Sequence, residues 1–396
     1  MKILLVAPKF PPDGTGGVEN VVKMLCNELR LDGHSVSVVT RFHRTHIKDP
    51  QVHQVRGGTG EFGGYSQWAI RAWRELRGGD YDIIHFNGFE GQILSLFPLL
   101  GAPRVVHIHN SVTREDAWYA QDFIRHNMGQ QIVTNSFRHA GLIISPTSVA
   151  KRDLVESVSG INADKIRVIP NMVDTRYYSR RAVRSSVRET LGLDGKFVIL
   201  YFGKIKRTKG IEDICRAYEM LRDKLDSALI IGGAPTATDK FARYLSERYP
   251  GVIFTGRVED PRPFYAAADA FCIYTTGFAG GEVFPVALAE AMSMGLPIVC
   301  SDNPIFREVT CGNAVFAPPE DPGALARAFL ELSRDPSRLQ ELAEESRALA
   351  ESSYDIKKVA PQVVEAYESL VGLERGGRTQ LLAKAQEESR QIGTVP

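Results

Sequence analysis

The chain has 396 residues, 43% of them hydrophobic and 24% charged, enough length for two domains and too apolar for a disordered chain. A formal net charge of +1 removes the electrostatic case for a nucleic-acid partner. The five cysteines (Cys26, Cys215, Cys272, Cys300, Cys311) include no C-x-x-C pair and no histidines at ligand spacing, which argues against a disulfide framework or zinc site and for a reducing compartment.

The N-terminal MKILLVAPKF carries a short apolar run that stops at Pro8, a better buried strand than a secretion signal. No run approaches the ~20 apolar residues of a membrane helix. A cytoplasmic protein is expected, with peripheral contact at the inner face of a membrane as an alternative. Val18, Val21, Val22, Leu25, Cys26 and Leu29 recur at helical spacing, and Asp32-Gly33 ends that helix. SVSVVT (35–40), DIIHF (82–86), RVVHIH (104–109) and GLIISP (141–146) read as further strands separated by helical or loop segments. Strands alternating with helices mean βαβ units and a parallel sheet. KIRVIPNMVD and an arginine-rich stretch then interrupt the pattern. A second series follows: FVILYFG (197–203), a helix over about 210–224, ALIIGG (228–233), VIFTG (252–256), AFCIYT (270–275) and PIVCSD (297–302). The parse is two doubly wound α/β units, 1–175 and 196–353. In open parallel sheets ligands sit beyond the carboxyl ends of the strands, so two facing units would enclose a cleft. After Tyr354 an amphipathic helix is expected over 354–372, and the polar tail 373–396 reads as mobile.

Two loops have the chemistry to hold an anion. KFPPDGTGGVENVV places Gly14, Gly16 and Gly17 between a strand end and a helix start, where N–H groups and the helix dipole favour negative charge; a plain tight turn is the equally weighted alternative. Neither the dinucleotide fingerprint nor a Walker A loop is matched. FGKIKRTKG sets Lys204, Lys206, Arg207 and Lys209 just beyond a buried strand, which suits a diphosphate, against a solvated basic turn. His109 ends its strand and should face the cleft, whereas His85 and His107 alternate with apolar neighbours and read as core histidines. His34 reads as a turn residue. Asp80-Tyr81-Asp82 resembles a D-x-D metal motif but precedes its strand, at the wrong end for the cleft, so no metal role is assigned.

GGEVFPVALAEAMSMGLP contains Glu282 and Glu290 with seven mostly apolar residues between them. Pro285 and Gly295 bracket a helix over about 285–294. Glu282, just before it, has helix capping as its plainest reading. Glu290 lies inside, among Ala287, Leu288, Ala289, Ala291 and Met292, and a buried carboxylate needs hydrogen-bond partners from the protein or a ligand.

This segment resembles the signature of retaining glycosyltransferases of the GT-B fold, family 4 type, which carry two glutamates at this spacing. GTGGVENVVKMLCNELRLDGHSVSVVT, VVHIHN, IPNMVD, FGKIKRTKGIEDICRAY and FTGRVEDPRPFYAAADAFCIYTT are similar to further family segments, in the family's order, across most of residues 1–355. The resemblance implies two Rossmann-like domains facing across a cleft, the first for the acceptor and the second for a nucleotide-sugar donor, with the last helix packing back on the first. It implies that Glu290 bonds the ribose hydroxyls and that Glu282 and His109 contact the donor sugar. Lys204 and Lys209 would clamp the diphosphate, Gly16 and Gly17 would let the first loop close over it, and main chain at Arg257 and Val258 would hold the base. Gly280, Gly281, Val283, Phe284 and Pro285 complete the expected donor-binding segment.

The expected reaction moves a sugar from a nucleotide diphosphate, UDP first and GDP-mannose second, to a glycan, lipid-linked or small-molecule acceptor. No metal or other cofactor is expected, because lysines and backbone N–H groups can stabilise the leaving oxygen. The resemblance implies same-face delivery of the acceptor with the departing phosphate as base, so no protein nucleophile is named. An epimerase or hydrolase, and a catalytically silent nucleotide-sugar binding protein, are the alternatives. Three positions depart from the family pattern: Lys204 replaces the usual Arg, Val283 a common Gly and Met172 the usual Gly of the N-G-V-D entry. They put donor preference in question. Tyr65, Trp68, Trp73, Trp118 and Tyr119 are acceptor-stacking candidates, and YSQWAIRAWRELR could meet anionic headgroups, although a solvated helix with packed tryptophans is the stronger reading.

Overall fold

The computed structural model describes residues 1–7, 9–12, 16–42, 45–57, 61–97, 101–109, 123–233, 240–276 and 282–373. Thirteen strands are described: β1 (Lys2–Ala7), β2 (Ser35–Arg41), β3 (Val52–Val55), β4 (Ile83–Asn87), β5 (Arg104–His107), β6 (Leu142–Ser145), β7 (Ile166–Val168), β8 (Phe197–Phe202), β9 (Ser227–Gly232), β10 (Ile253–Gly256), β11 (Ala270–Ile273), β12 (Ile298–Ser301) and β13 (Val315–Ala317). They form two sheets, in the orders β3-β2-β1-β4-β5-β6-β7 and β10-β9-β8-β11-β12-β13. Adjacent strands pair in parallel throughout. Strand order reverses at β1/β4 in one sheet and at β8/β11 in the other, the two crevices where such folds bind ligands. These are two Rossmann-like lobes.

The central strands are buried on both faces because helices cover both faces. One face of the first sheet packs Ile3, Leu5 and Val105 against the helix Gly17–Leu31 and against the last helix, residues 356–373. Ile356, Val359, Val363, Tyr367 and Leu370 of that last helix are all buried there. The other face packs around Trp68, Phe86 and Phe137. Trp68 is fully buried, which withdraws it as a stacking platform for an acceptor: its position in Glu61–Leu76 is on the stripe that meets Leu4 and Val6. Trp73 packs against Phe97, with the Arg77 guanidinium 5.9 Å from its ring. The side chain of Tyr65, and Trp118, Tyr119 and the tail 374–396, lie outside the described residues.

The acids of Asp80-Tyr81-Asp82 work at the amino end of the first sheet. Asp82 accepts from the Lys2 N–H at 2.8 Å and Asp80 pairs with the Lys2 ammonium at 3.2 Å. His34 touches the chain's amino terminus at 3.1 Å.

Candidate functional site

Beyond β8, the single turn Arg207–Lys209 leads into the helix Ile211–Leu221 through Gly210, whose φ of 58° is left-handed. A Cβ at Gly210 would stand 2.8 Å from the Tyr274 ring and 2.9 Å from its carbonyl oxygen, so only glycine lets this loop cross the end of β11. The crossing brings Lys209 to the segment that follows β11, where its ammonium meets the Glu282 carboxylate. These side chains are only 15% and 24% exposed. Glu282 is therefore one half of an ion pair and no helix cap: the helix Val286–Ser293 starts from Pro285 without a side-chain cap. Lys204 stands exposed in the same loop, its carbonyl accepting from the Tyr201 hydroxyl at 3.0 Å. Gly280 and Gly281 lie outside the described residues, as do Gly14, Asn110 and Ser111.

Glu290 is buried at 8% exposure, and protein hydroxyls meet its carboxylate. Tyr265, from the helix Arg262–Ala267, donates to it at 3.0 Å, and Tyr178, from the segment joining the lobes, is a second partner. Burial nevertheless pushes the Glu290 carboxyl up to about 7, and the two tyrosine hydroxyls only partly offset that. Both tyrosines are pushed well up by their own burial and remain donors. Beside them, Arg262 makes a two-pronged pair with Asp260 at 2.7–2.8 Å and lays its guanidinium 3.6 Å from the Tyr177 ring centre. Arg257 and Val258, just past β10, precede this cluster, Arg257 exposed and Val258 half-buried.

From the first lobe come Gly16, Gly17 and His109. Gly16 starts the helix Gly17–Leu31 without a side-chain cap bond. A Cβ at Gly17 would lie 3.2 Å from a Val286 methyl, so a bare backbone lets the first lobe reach the start of the Glu290 helix. His109, just past β5, gives its Nε2 to Asn87 Oδ1 at 2.9 Å. Its ring stacks on His107 at 4.2 Å, and His107 on His85 at 5.5 Å. His85 Nδ1 in turn bonds the Tyr367 hydroxyl at 2.5 Å. Burial pushes His85 and His109 down to about 3 and His107 well below its ordinary value, so these rings are neutral near pH 7.

The lobes are stitched together beside Glu282. Thr147 donates its hydroxyl to the Val283 carbonyl at 3.1 Å, and Asn171 its amide to the Phe284 carbonyl at 3.2 Å. Val283 is buried in the first lobe's core, and Phe284 in the second lobe's, edge-on to Tyr354. The Glu308 carboxylate caps the first-lobe helix Ser148–Ser157, accepting from the N–H groups of Ser148 at 2.6 Å and Val149 at 3.0 Å. Thus the structure brings Lys209, Glu282 and the Glu290 helix against the carboxyl-end loops of the first sheet. Thr147, Asn171, Tyr178, Tyr265 and Asn87 were not singled out in the sequence. Asn171, inside IPNMVD, and Tyr265, inside FTGRVEDPRPFYAAADAFCIYTT, lay in segments that drew notice.

Residues 15–177 match the model described as Glycosyltransferase Family 4 and residues 196–335 the model described as Glycosyl transferases group 1. The chain is 28% identical over 397 residues to phosphatidyl-myo-inositol mannosyltransferase of Mycobacterium tuberculosis, with 94% of this chain and 98% of that one covered. It is 26% identical to the same-named protein of Mycolicibacterium smegmatis, covering 94% and 95%. Among solved structures it resembles sucrose-phosphate synthase from Thermosynechococcus elongatus, with a TM-score of 0.79, 20% identity and 94% and 99% coverage. It also resembles Anabaena HepE in complex with UDP and glucose, with a TM-score of 0.76, 19% identity and 93% and 100% coverage. Among the described residues, no helix is long and apolar enough to cross a membrane. With two family models spanning most of its length and the two-lobed architecture they imply, the chain belongs to the GT-B glycosyltransferases of the family 4 type.

Proposed function

We propose that this glycosyltransferase is a retaining hexosyltransferase that moves a sugar from a nucleoside diphosphate to a glycan, lipid-linked or small-molecule acceptor without a metal ion. The observation that carries the reading is the Lys209–Glu282 pair, held in a sheltered position at the carboxyl ends of β8 and β11. A donor diphosphate entering there draws the ammonium away from the carboxylate, which frees Glu282 to accept from sugar hydroxyls. Lys209, with Lys204, then meets the charge that builds on the leaving phosphate as the glycosidic bond breaks. Glu290 holds the ribose, aided by hydroxyls already in place, while Arg257 and Val258 offer main chain to the base. Gly16, Gly17 and His109 close the first lobe over the donor. The acceptor enters from the first lobe, and the departing phosphate takes its proton.

UDP-sugars are the first donor class and GDP-mannose the second. The mannosyltransferase names among the relatives support weighing GDP-mannose seriously, while HepE in complex with UDP supports the first. The protein works in the cytoplasm, with membrane contact required only for a lipid-linked acceptor. A thermal-shift screen of UDP- and GDP-sugars identifies the donor, since a ligand of the folded state raises the unfolding midpoint. Nucleotide release is then measured with and without candidate acceptors. Release that depends on acceptor supports transfer. Release without acceptor indicates hydrolysis, conversion of the sugar indicates epimerisation, and binding without turnover indicates a silent module.

A further inference from the structure

The sugar-facing histidine sits in a hydrogen-bond network that leaves it one tautomer. Asn87 ends β4 and is 1% exposed. Its Nδ2 donates to the Val6 carbonyl at 3.2 Å and, more weakly, to the His85 carbonyl at 3.4 Å. Those oxygens can only accept, so the amide cannot be turned round without opposing oxygen to oxygen. Asn87 Oδ1 is therefore the atom 2.9 Å from His109 Nε2, and it too can only accept. The proton must lie on Nε2. With burial keeping the ring neutral, Nδ1 then carries a lone pair. Nδ1 makes no hydrogen bond with any described residue, and His109 is only partly buried, so among the described residues nothing competes with a ligand for this nitrogen.

We infer that Asn87 is a positioning residue that locks His109 as its Nε2–H tautomer, so that the cleft presents a pure acceptor and selects a donor sugar with a free hydroxyl opposite Nδ1. This rests on the donor-site reading above for its last step only. The lock also explains why a buried asparagine ends the strand bearing His85, beside the strand that bears His107 and leads to His109. Asn87 aligns with His107 across β4 and β5, and residues 85, 87, 107 and 109 share one face of the sheet. Elsewhere on that face polarity is left unmet: neither nitrogen of His107 has a hydrogen-bond partner among the described residues. Asn87 alone converts the stack into a group of defined polarity at the cleft.

The test begins with the full-length chain labelled with 15N in its histidine rings, the His109 signal assigned by its loss in His109→Gln. Long-range proton–nitrogen spectra should show His109 protonated on Nε2 and bare on Nδ1. Protonation on Nδ1, or a fully protonated ring, overturns the lock. This measurement stands whether or not any donor turns over, so its failure is distinct from failure of the proposed function. The second step uses the donor sugar that reacts, together with its singly deoxygenated forms. In the wild type one deoxygenated donor should lose about tenfold in kcat/KM, the worth of one hydrogen bond. In Asn87→Leu, whose folding is checked by an unchanged affinity for the nucleoside diphosphate alone, that ratio should shrink toward one because nothing then fixes the ring's orientation or tautomer against that hydroxyl. A uniform loss for every donor, with no position coupled to Asn87, would reduce Asn87 to packing and overturn the selection.

Discussion

Glu290→Gln gives the most quantitative prediction. The wild-type carboxyl is held at about 7 in the folded chain, against an ordinary value of 4.5. A carboxyl raised by folding binds its proton more tightly in the folded state than in the unfolded one. It costs nothing when both states are protonated, below about pH 4.5, and its full cost is felt once both are ionised, above about pH 7. The shift of roughly 2.5 pH units corresponds to about 3 kcal/mol of stability lost as pH rises through that window. Glutamine keeps an oxygen to accept from Tyr265 and removes the charge. Urea unfolding of the two proteins, followed through the second lobe's transition, should give similar midpoints near about pH 4. Near about pH 8 the variant should be the more stable by about 3 kcal/mol, and it should bind the donor more weakly. Parallel pH curves for the two proteins, or a variant less stable near about pH 8, would refute the placement of an ionisable acid in this buried tyrosine cluster.

Lys209→Ala should lower kcat by two to three orders of magnitude, the scale on which fixed charge at a leaving group acts, with Lys209→Arg recovering part of it in steady-state assays. Gly17→Leu should leave the circular-dichroism spectrum unchanged yet cut turnover by about a hundredfold, because the side chain drives into Val286 and holds the lobes apart. Small-angle scattering with donor should then show a more open particle than wild type. Glu308→Ala removes the carboxylate that caps the helix Ser148–Ser157 from the opposite lobe and should cost about 1 kcal/mol in chemical denaturation.

Much of the architecture was legible because central parallel strands are short apolar runs, and β1, β2, β8 and β9 stand out for that reason. The edge strands β3 and β13 did not: VHQV and VFA are too short to register a period, and β3 buries only its first and last residues. Around the site, the acids and lysines were visible as residues of costly type in telling positions. Their partners were not. Tyr178, Tyr265 and Asn87 look like ordinary polar or aromatic residues, and only the fold reveals that hydroxyls from a connecting segment and a distant helix converge on Glu290. The ion pair between Lys209 and Glu282 joins residues 73 apart in sequence, a distance over which no local pattern operates.

The helix 356–373 makes the first lobe a product of segments that lie on either side of the second lobe in sequence. Residues 173 and 355 lie side by side as a parallel bridge, so the polypeptide leaves for the second lobe and returns from it along one seam. Thr175 fastens its hydroxyl to Asp355 there, and Lys357 reaches Glu28 across the boundary. Each large apolar side chain the returning helix buries is worth about 1.5–3 kcal/mol. Cutting the chain after residue 350 would thus not trim an appendage; it would uncover one wall of the nascent amino-terminal lobe. During synthesis that lobe must wait, incompletely sealed, until the ribosome has made the second lobe and the helix that follows it.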